Sequence, residues 1–406
     1  MSASTEIATA TRAAATQFLL GMGVPQQGVK MPVNIANPLV AIVSCGGLHF
    51  GGAQLRCLET AHELTTYGLK AVCIDGSRLQ MPQLSNLDYL PGVNGSYCQA
   101  GVDQLLARPS IEVVIFLRKL PINMRWGKAT KSLREFRRRS NASILLDTMD
   151  FQGVHHCFRD ALWRTVDGVI FDSRFARARV LGECGILKAK PFFFIEHFHS
   201  VVKRVGHGAG SVRKVLLAQE HEFVSDKTCG WIKRVMPASV SGAGSFECRA
   251  LSTSSRARFL SRQVGLPIDV VHEIRGRPNG TGALFTATFR KYDLLINWRA
   301  ANGTVQRLSN YLASGVPVIS LRSEAYADAF KGYPLLWADS YAQLGTWAHA
   351  LAESPTLRRA TSAAGVAAVE QFSRRTIMMQ YHRGFCAVVR EQGLHPHSRL
   401  CQGLEP

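Results

Sequence analysis

From residue 38 onward, the chain alternates short apolar runs with longer stretches in which apolar residues recur at helical spacing. Such alternation is typical of buried parallel strands joined by crossover helices. It predicts a first series of strands at 39–44, 70–75, 111–117, 144–147, 168–171 and 192–195. A second series follows at 212–219, 268–274, 293–298, 316–321 and 335–337. We therefore expect an α/β protein with two Rossmann-like, doubly wound domains that face each other across a cleft.

The breaks in this pattern predict the domain boundaries. They give an N-terminal tail at 1–37, a first domain at 38–199, a glycine-rich linker at 200–211, a second domain at 212–390 and a tail at 391–406. The N-terminal tail is expected to be disordered, with a weak organelle transit peptide as the alternative. The last part of the second domain has helical spacing, which predicts closing helices that pack back on the body of the protein.

Two of the predicted helices have clear ends and buried faces. The helix after the first strand ends at Gly68 and has a buried stripe at Leu55, Leu58, Ala61 and Leu64. The helix over 304–314 has Thr304 as its expected N-cap, ends before Gly315 and Pro317, and buries Leu308, Tyr311 and Leu312. The run 192–194, three phenylalanines, is interpreted as a plain core strand rather than an aromatic stacking platform.

The charge of the chain indicates which classes of partner it could bind. The 406 residues carry 48 Lys and Arg against 29 Asp and Glu, a formal net charge of +19, which favours nucleotides, nucleic acids or acidic membrane surfaces. Clusters such as Arg174, Arg177 and Arg179 are interpreted first as solvated helix faces. Because zinc spacing and RNP-like aromatic patterns are missing from the sequence, we expect no specific nucleic-acid binding.

Two further features concern the cellular setting. No stretch approaches the roughly 20 apolar residues that span a bilayer, so we expect no transmembrane span, whereas peripheral contact between a basic face and a membrane stays open. The ten cysteines form no CxxC pair and no Cys/His cluster, which favours free thiols in a reducing, cytoplasmic compartment.

The loop after the first strand, at 45–52, contains four glycines. Glycine lets the backbone approach a ligand closely and turn its N–H groups towards a phosphate or a sugar hydroxyl. A tight strand-to-helix turn explains the same glycines equally well. Because the spacing is not GxGxxG, a dinucleotide-dependent dehydrogenase is disfavoured.

A second loop, at 299–304, joins the strand at 293–298 to the helix with the Thr304 cap. Arg299 is expected at the mouth of the cleft, where a guanidinium pairs bidentately with a diphosphate. The start of the helix offers its backbone amides to the same anion. This loop is therefore the predicted phosphate site.

The segments GGAQLRCLETAHELTTYG and RLSNYLASGVPVIS resemble two signatures of group 1 glycosyltransferases, whose two-domain architecture is the GT-B fold. The first matches that family's entry to its opening helix at Gly51, Gly52 and Ala53. The second matches the turn after its donor-site helix at Ala313, Gly315, Pro317 and Val318. The likeness keeps its order from about residue 38 to 390.

This resemblance implies transfer of a sugar, with retention as in glycogen synthase and sucrose synthase, from a nucleotide-sugar to a glycan, lipid or small-molecule acceptor. It implies no cofactor and no obligatory metal, with the first domain on the acceptor side and the second binding the donor. The implied donor and phosphate site contains Gly51, Gly52, Arg299, Asn302, Gly303, Thr304 and Asn310.

The acceptor side of the implied cleft carries several acids and histidines. The resemblance suggests Asp150 and His155 as catalytic residues and His49 and His197 as acceptor contacts, since imidazole exchanges protons near neutral pH. Ordinary surface or helix-capping histidines are the alternative.

One departure from the family bears on activity. Many members carry two glutamates eight positions apart around the donor helix, and here Asn302 and Asn310 stand in those places. An asparagine offers a neutral amide where a carboxylate accepts two hydrogen bonds from a sugar diol. The alternative to an active transferase is therefore a catalytically impaired protein of the same fold that binds nucleotide or glycan without turnover.

Overall fold

The computed structural model describes residues 38–44, 54–75, 89–91, 109–117, 136–148, 165–183, 185–199, 201, 212, 214–217, 247–252, 268–270, 280–298, 305–392 and 399–401. The strands of the first sheet are β1 (Val40–Ser44), β2 (Ala71–Asp75), β3 (Tyr89–Pro91), β4 (Val113–Leu117), β5 (Ser143–Asp147), β6 (Gly168–Phe171) and β7 (Phe192–Phe194). Those of the second sheet are β8 (Lys214–Leu217), β9 (Glu247–Ser252), β10 (Ile268–Val270), β11 (Leu294–Asn297), β12 (Val318–Leu321) and β13 (Leu336–Ala338).

Both sheets are parallel and share one strand order. The first runs β3-β2-β1-β4-β5-β6-β7 and the second β10-β9-β8-β11-β12-β13. In each sheet the chain builds outward on one side of the first strand and then returns to build on the other side. This is the doubly wound order of nucleotide-binding domains, so the prediction of two Rossmann-like units is confirmed. The central strands β4, β5 and β6 are buried along their whole length, as expected for strands covered on both faces.

The helices lie between and after these strands. A π-helical segment, Gln54–Glu59, leads into α1 (Thr60–Thr66), and the next helices are α2 (Arg174–Glu183), α3 (Gly280–Phe289), α4 (Gln306–Ala313) and α5 (Glu324–Ala329). The C-terminal part forms α6 (Tyr341–Glu353), α7 (Pro355–Ala368) and α8 (Arg374–Gln392). Short 3₁₀ segments follow α2, α7 and α8, at Gly185–Ala189, Glu370–Phe372 and Arg399–Cys401.

The predicted helix ends and faces are largely confirmed. Gly68 and Gly315 have φ values of 104° and 75°, which is the left-handed backbone that ends a helix and suits glycine. The expected stripes are buried at Leu58, Ala61 and Leu64, and at Leu308, Tyr311 and Leu312.

The last helix, α8, packs against the first sheet although it comes at the end of the chain. A Cβ on Gly384 of α8 would lie 3.3 Å from Cγ of Phe193, and one on Gly168 of β6 would lie 3.3 Å from Cγ2 of Val388. An ion pair between Arg374 and Glu63 fixes the start of α8 beside α1. The closing helix therefore ties the second half of the chain to the first.

The expectation for the three phenylalanines of β7 is wrong in part. Phe192 and Phe194 are each 41% exposed, whereas Phe193 on the other face is half-buried against α8. The reason is that β7 is the edge strand of its sheet, where the face that carries Phe192 and Phe194 is only partly covered.

Candidate functional site

The strand order of each sheet identifies where a ligand would bind. The order reverses between β1 and β4 in the first sheet and between β8 and β11 in the second. Ligands of open parallel sheets bind outside the carboxyl ends of the strands at such switch points. The glycine-rich loop follows β1, and the loop with Arg299 follows β11, so each predicted loop leaves its sheet at the switch point.

Most residues of the predicted site belong to segments outside the described residues. These are His49, Gly51, Gly52, Asp150, His155, Arg299, Asn302, Gly303 and Thr304. Asn310 and His197 are described, together with the strands and helices that flank the loops. What the structure shows of the site is therefore its framework, the strands and helices on either side of these loops.

The start of α4 lies at a buried junction between the two halves of the chain. The backbone N–H of Val305, the N-cap residue, donates to Oε2 of Glu196 at 3.3 Å. The other oxygen of that carboxylate, Oε1, accepts from the backbone N–H of His197 at 2.9 Å. Glu196 lies two residues after the last strand of the first sheet, so an acid from one half satisfies an amide at the start of α4 in the other.

This contact corrects the predicted N-cap. The helix begins at Gln306 with Val305 as its N-cap, not with Thr304, and Val305 has no side chain that can cap. The physical reason is that the Glu196 carboxylate supplies an acceptor from outside the helix, where a negative charge also interacts favourably with the helix dipole.

Asn310 lies on α4, one residue before Tyr311, and is only 3% exposed. It belongs to a helix in which every residue from Leu308 to Ala313 is buried. His197 is buried as well, at 2% exposure, beside the capping carboxylate of Glu196. The structure thus brings His197 and the start of α4 together through Glu196.

A buried ionic cluster at the carboxyl edge of the first sheet was missed by the sequence analysis. Arg56 is 1% exposed, and its Nε donates to Oδ2 of Asp147 at 2.7 Å. Its Nη2 donates to Oδ1 of Asp172 at 3.3 Å and to the carbonyl of Ile195 at 2.5 Å. Arg56 therefore holds the ends of β5, β6 and β7 to the helical segment that follows the glycine loop.

The electrostatics of this cluster keep the arginine charged. Burial alone would lower the pKa of Arg56, but the adjoining carboxylates, Asp147 first, raise it, and the net direction is upward. The guanidinium carbon lies 5.7 Å from the ring centre of Tyr381 on α8, and burial raises the pKa of that phenol above its ordinary value. Arg56 thus stays charged in the interior, with Tyr381 of α8 lying against it.

Two polar atoms at the end of β11 are buried without a hydrogen-bond partner in the described part of the chain. They are Oδ1 of Asn297, whose Nδ2 donates to Ser320 Oγ at 2.8 Å, and Nε1 of Trp298. Buried polar atoms are almost always paired, so unpaired ones at a switch point indicate groups that a ligand or water would satisfy. The sequence signal was a polar residue closing an apolar strand, LLINW, just before the predicted phosphate loop.

The described residues contain no group of three or more His, Cys, Asp or Glu side chains that could hold a metal ion. Within the same residues, no helix is long and apolar enough to cross a membrane.

Comparison with known proteins identifies the architecture. No protein-family model and no curated protein sequence matches the chain. Among solved structures, it is similar to a glycosyltransferase from Rickettsia africae, with a TM-score of 0.61, 13% identity and coverage of 87% of this chain and 100% of the other.

Two further structures have similar scores. For HepE of Anabaena, solved with UDP and glucose, the TM-score is 0.57 at 13% identity, covering 86% of this chain and all of the other. For sucrose-phosphate synthase of Thermosynechococcus elongatus it is 0.56 at 13% identity, covering 87% and 100%. Together with the two parallel sheets, these likenesses confirm the predicted GT-B fold.

Proposed function

We propose that this chain is a glycosyltransferase that moves a sugar, as a hexosyl group with retained configuration, from a nucleotide-sugar to an acceptor. The observation that carries the proposal is the placement of α4. This helix follows the switch-point strand β11, and the amide at its start points to a buried junction with the other half of the chain. Because the Val305 amide is already bonded to Glu196, the amides offered to a nucleoside diphosphate in this proposal are those of the loop just before it, at the switch point.

The donor site in this proposal is the loop between β11 and α4. Arg299 and the backbone amides of Gly303 and Thr304 bind the two phosphates, and the side chains of Asn302 and Asn310 belong to the sugar and ribose side. Positive charge and oriented amides stabilise the diphosphate as it leaves, which is the work that a metal ion performs in other transferases. The proposed reaction therefore needs neither a metal nor another cofactor.

The acceptor side of the proposal lies in the first half, at 38–199. Its glycines, Gly51 and Gly52, follow the switch-point strand β1. Asp150 and His155 are the proposed catalytic groups, and His49 and His197 the proposed acceptor contacts. The acceptor class, whether glycan, lipid or small molecule, is left open by the proposal.

A cytoplasmic location completes the proposal. Its support is the sequence, in which the ten cysteines form no CxxC pair and no Cys/His cluster.

A second candidate is a protein of the same fold that binds nucleotide or glycan without turnover. Its support is the pair of asparagines at the family's glutamate positions. Asn310 is 3% exposed, and a neutral amide is more easily buried there than a carboxylate. A donor site with two amides keeps shape and hydrogen bonds but lacks the negative charge that a carboxylate would bring to the sugar.

Nucleotide release tests both candidates. The full chain is incubated with UDP-, GDP- and ADP-hexoses, with EDTA or with Mg²⁺, and free nucleoside diphosphate is measured alongside binding by calorimetry. Release of one nucleotide at equal rates with EDTA and Mg²⁺ supports the transferase. Binding without release supports the second candidate, and neither binding nor release contradicts both.

A matched pair of variants ties the result to the proposed site. Arg299→Gln should weaken donor binding about tenfold or more, since one bidentate charged contact to phosphate is lost. Arg390→Gln, which removes the same charge from an exposed position at the end of α8, should leave binding unchanged. Equal effects of the two would mean that only net charge matters.

A further inference from the structure

Among the described residues, the large hydrophobic side chains that stand exposed are both on β7. Phe192 and Phe194 are each 41% exposed, and their ring centres lie 5.5 Å apart in an edge-to-face arrangement. Both rest on Phe171 of the neighbouring strand, at 6.3 and 6.5 Å between ring centres. Phe192 and Phe194 thus form an apolar projection at the edge of the first sheet, supported from below by the buried ring of Phe171.

The segment that contains these rings is strongly basic along the chain. The segment from α2 to β7 contains five basic residues, Arg174, Arg177, Arg179, Lys188 and Lys190, and a single acid, Glu183. Arg174, Arg179 and Lys188 are exposed. We call Arg174, Arg179, Lys188, Phe192 and Phe194 the basic-aromatic face.

The ring geometry narrows the kind of partner. The guanidinium of Arg177 lies 4.2 Å from the centre of the Phe192 ring and covers one side of it, while Phe194 packs edge-to-face beside it. A single-stranded nucleic acid needs open, flat ring faces on which bases stack. Exposed rings that pack against each other, with a guanidinium on one side and further exposed cations in the same segment, fit instead a layer whose surface is anionic and whose interior is apolar.

We propose that the basic-aromatic face docks this protein on an anionic lipid bilayer. The two phenylalanines enter the headgroup region, and the three exposed cations bind lipid phosphates. The docking edge is close to the candidate site along the chain, because Phe194 is two residues before Glu196, which contacts the start of α4. Docking would hold the junction of the two halves near the bilayer surface.

Vesicle flotation with the full chain tests the proposal. We expect binding to vesicles of phosphatidylcholine with 30% phosphatidylglycerol, taken as about a third anionic lipid. Binding to pure phosphatidylcholine should be far weaker, and high salt should reduce binding to the anionic vesicles. The triple variant Arg174→Gln, Arg179→Gln, Lys188→Gln should lower the affinity for anionic vesicles by about a hundredfold, at about fivefold per basic residue.

The control removes the same charge from the other half of the chain. Lys291→Gln, Lys331→Gln, Arg359→Gln changes three exposed cations outside the basic-aromatic face and should leave vesicle binding nearly unchanged. Equal losses in the two triple variants would overturn the proposal, because net charge alone would then explain binding. Absence of binding to anionic vesicles by the unaltered chain would overturn it as well.

The phenylalanines are tested separately from the charges. Phe192→Ser with Phe194→Ser should lower vesicle affinity about tenfold or more, since two apolar rings no longer enter the bilayer. Hydrogen exchange of the unaltered chain should slow at 190–195 when anionic vesicles are added, a result that does not depend on how well a variant folds.

If light scattering finds instead that this double variant turns a dimer into a monomer, the face is an interface between two copies and the bilayer proposal is wrong. Tight, salt-resistant binding of single-stranded oligonucleotides at this face would also contradict it.

Discussion

The ends of three strands of the first sheet meet at one buried cation, Arg56. Arg56 joins Asp147, Asp172 and the Ile195 carbonyl, and these partners are 91, 116 and 139 positions away along the chain. Its place in the sequence, between two leucines of an amphipathic helix, gives no sign of burial. The cluster forms because the strand order brings the ends of β5, β6 and β7 together.

Removal of this guanidinium should destabilise the fold strongly. In Arg56→Met, the carboxylates of Asp147 and Asp172 stay buried without their cation, which typically costs about 3–5 kcal/mol in the free energy of unfolding. Arg56→Lys should recover part of the loss, because an ammonium restores the charge but not the forked geometry. Urea unfolding of the unaltered chain, Arg56→Met and Arg56→Lys measures the three free energies of unfolding.

The matched control is Arg359→Met, an exposed arginine on α7. It should change the free energy of unfolding by less than about 0.5 kcal/mol. A loss below about 1 kcal/mol in Arg56→Met would contradict the structural role given to the cluster.

His62, on α1, should make the stability of the fold depend on pH. Burial lowers its pKa below the ordinary 6.5; Glu63 opposes this shift and Arg374 adds to it. The unfolded chain therefore binds a proton at this histidine more readily than the folded chain does. The contribution of His62 to the free energy of unfolding is fully present above about pH 6.5 and is lost as the pH falls through the lower folded pKa.

His62→Gln should accordingly make the free energy of unfolding less sensitive to pH below about 6.5, the ordinary pKa of histidine. Chemical unfolding at several pH values measures this slope. His349→Gln, on α6 in the second half, is the control. A slope that stays unchanged in His62→Gln would mean that this histidine protonates equally easily in both states.

At the scale of elements, the sequence predicted most strands of both sheets, including the edge strands β7, β10 and β13. Continuous apolar runs gave β1, β4, β5 and β11, because a strand covered on both faces has one composition throughout. β3 and β9 were missed, since Tyr89–Pro91 is short and lies at a sheet edge, and Glu247–Ser252 mixes polar and apolar residues. Burial of β7 was overestimated for the related reason that an edge strand can be apolar and still face solvent.

The packing of α8 on the first sheet should respond sharply to single glycines. Gly168→Ala would bring a Cβ within 2.8 Å of Leu145 Cδ2, closer than side chains pack, and 3.3 Å from Val388 Cγ2 on α8. We expect a loss of about 1–3 kcal/mol in the free energy of unfolding, as for other overpacked cores.

Gly182→Ala is the natural counterpart on α2. Its new Cβ would meet nothing within 4 Å. Because alanine forms helices better than glycine, we expect the free energy of unfolding to rise by about 0.5–1 kcal/mol. Thermal unfolding should therefore shift in opposite directions for the two variants. Equal shifts would mean that the close approach of α8 to β6 does not limit this part of the fold.

At the scale of the whole molecule, the candidate site depends on two sheets with the same strand order. Each sheet directs one loop from its switch point, so the sequence could predict both loops from a glycine-rich run and from a strand that ends before Arg299. It could not predict that Glu196 meets Val305, because that contact joins residues 109 positions apart in different halves of the chain. Local patterns thus located the loops, and long-range topology determined how their framework is joined.

The same topology predicts that the two halves unfold together. One hydrophobic cluster contains strand residues of both sheets, such as Val40 and Leu295, and residues of α8, such as Phe385 and Val388. Because α8 comes last in the chain yet packs on the first sheet, neither half can lose its packing without exposing surface of the other. We expect calorimetry of the full chain to record a single transition with equal calorimetric and van't Hoff enthalpies.

A charge reversal at the start of α8 distinguishes coupled unfolding of the two halves from a general loss of stability. Glu63→Arg breaks its ion pair with Arg374, and Glu63→Arg with Arg374→Glu re-forms the pair in the opposite sense. The single variant should lower and broaden the transition, and the double variant should restore part of its sharpness. Two resolved transitions in the unaltered chain would contradict the coupling, because they would mean that each sheet and its helices unfold as an independent unit.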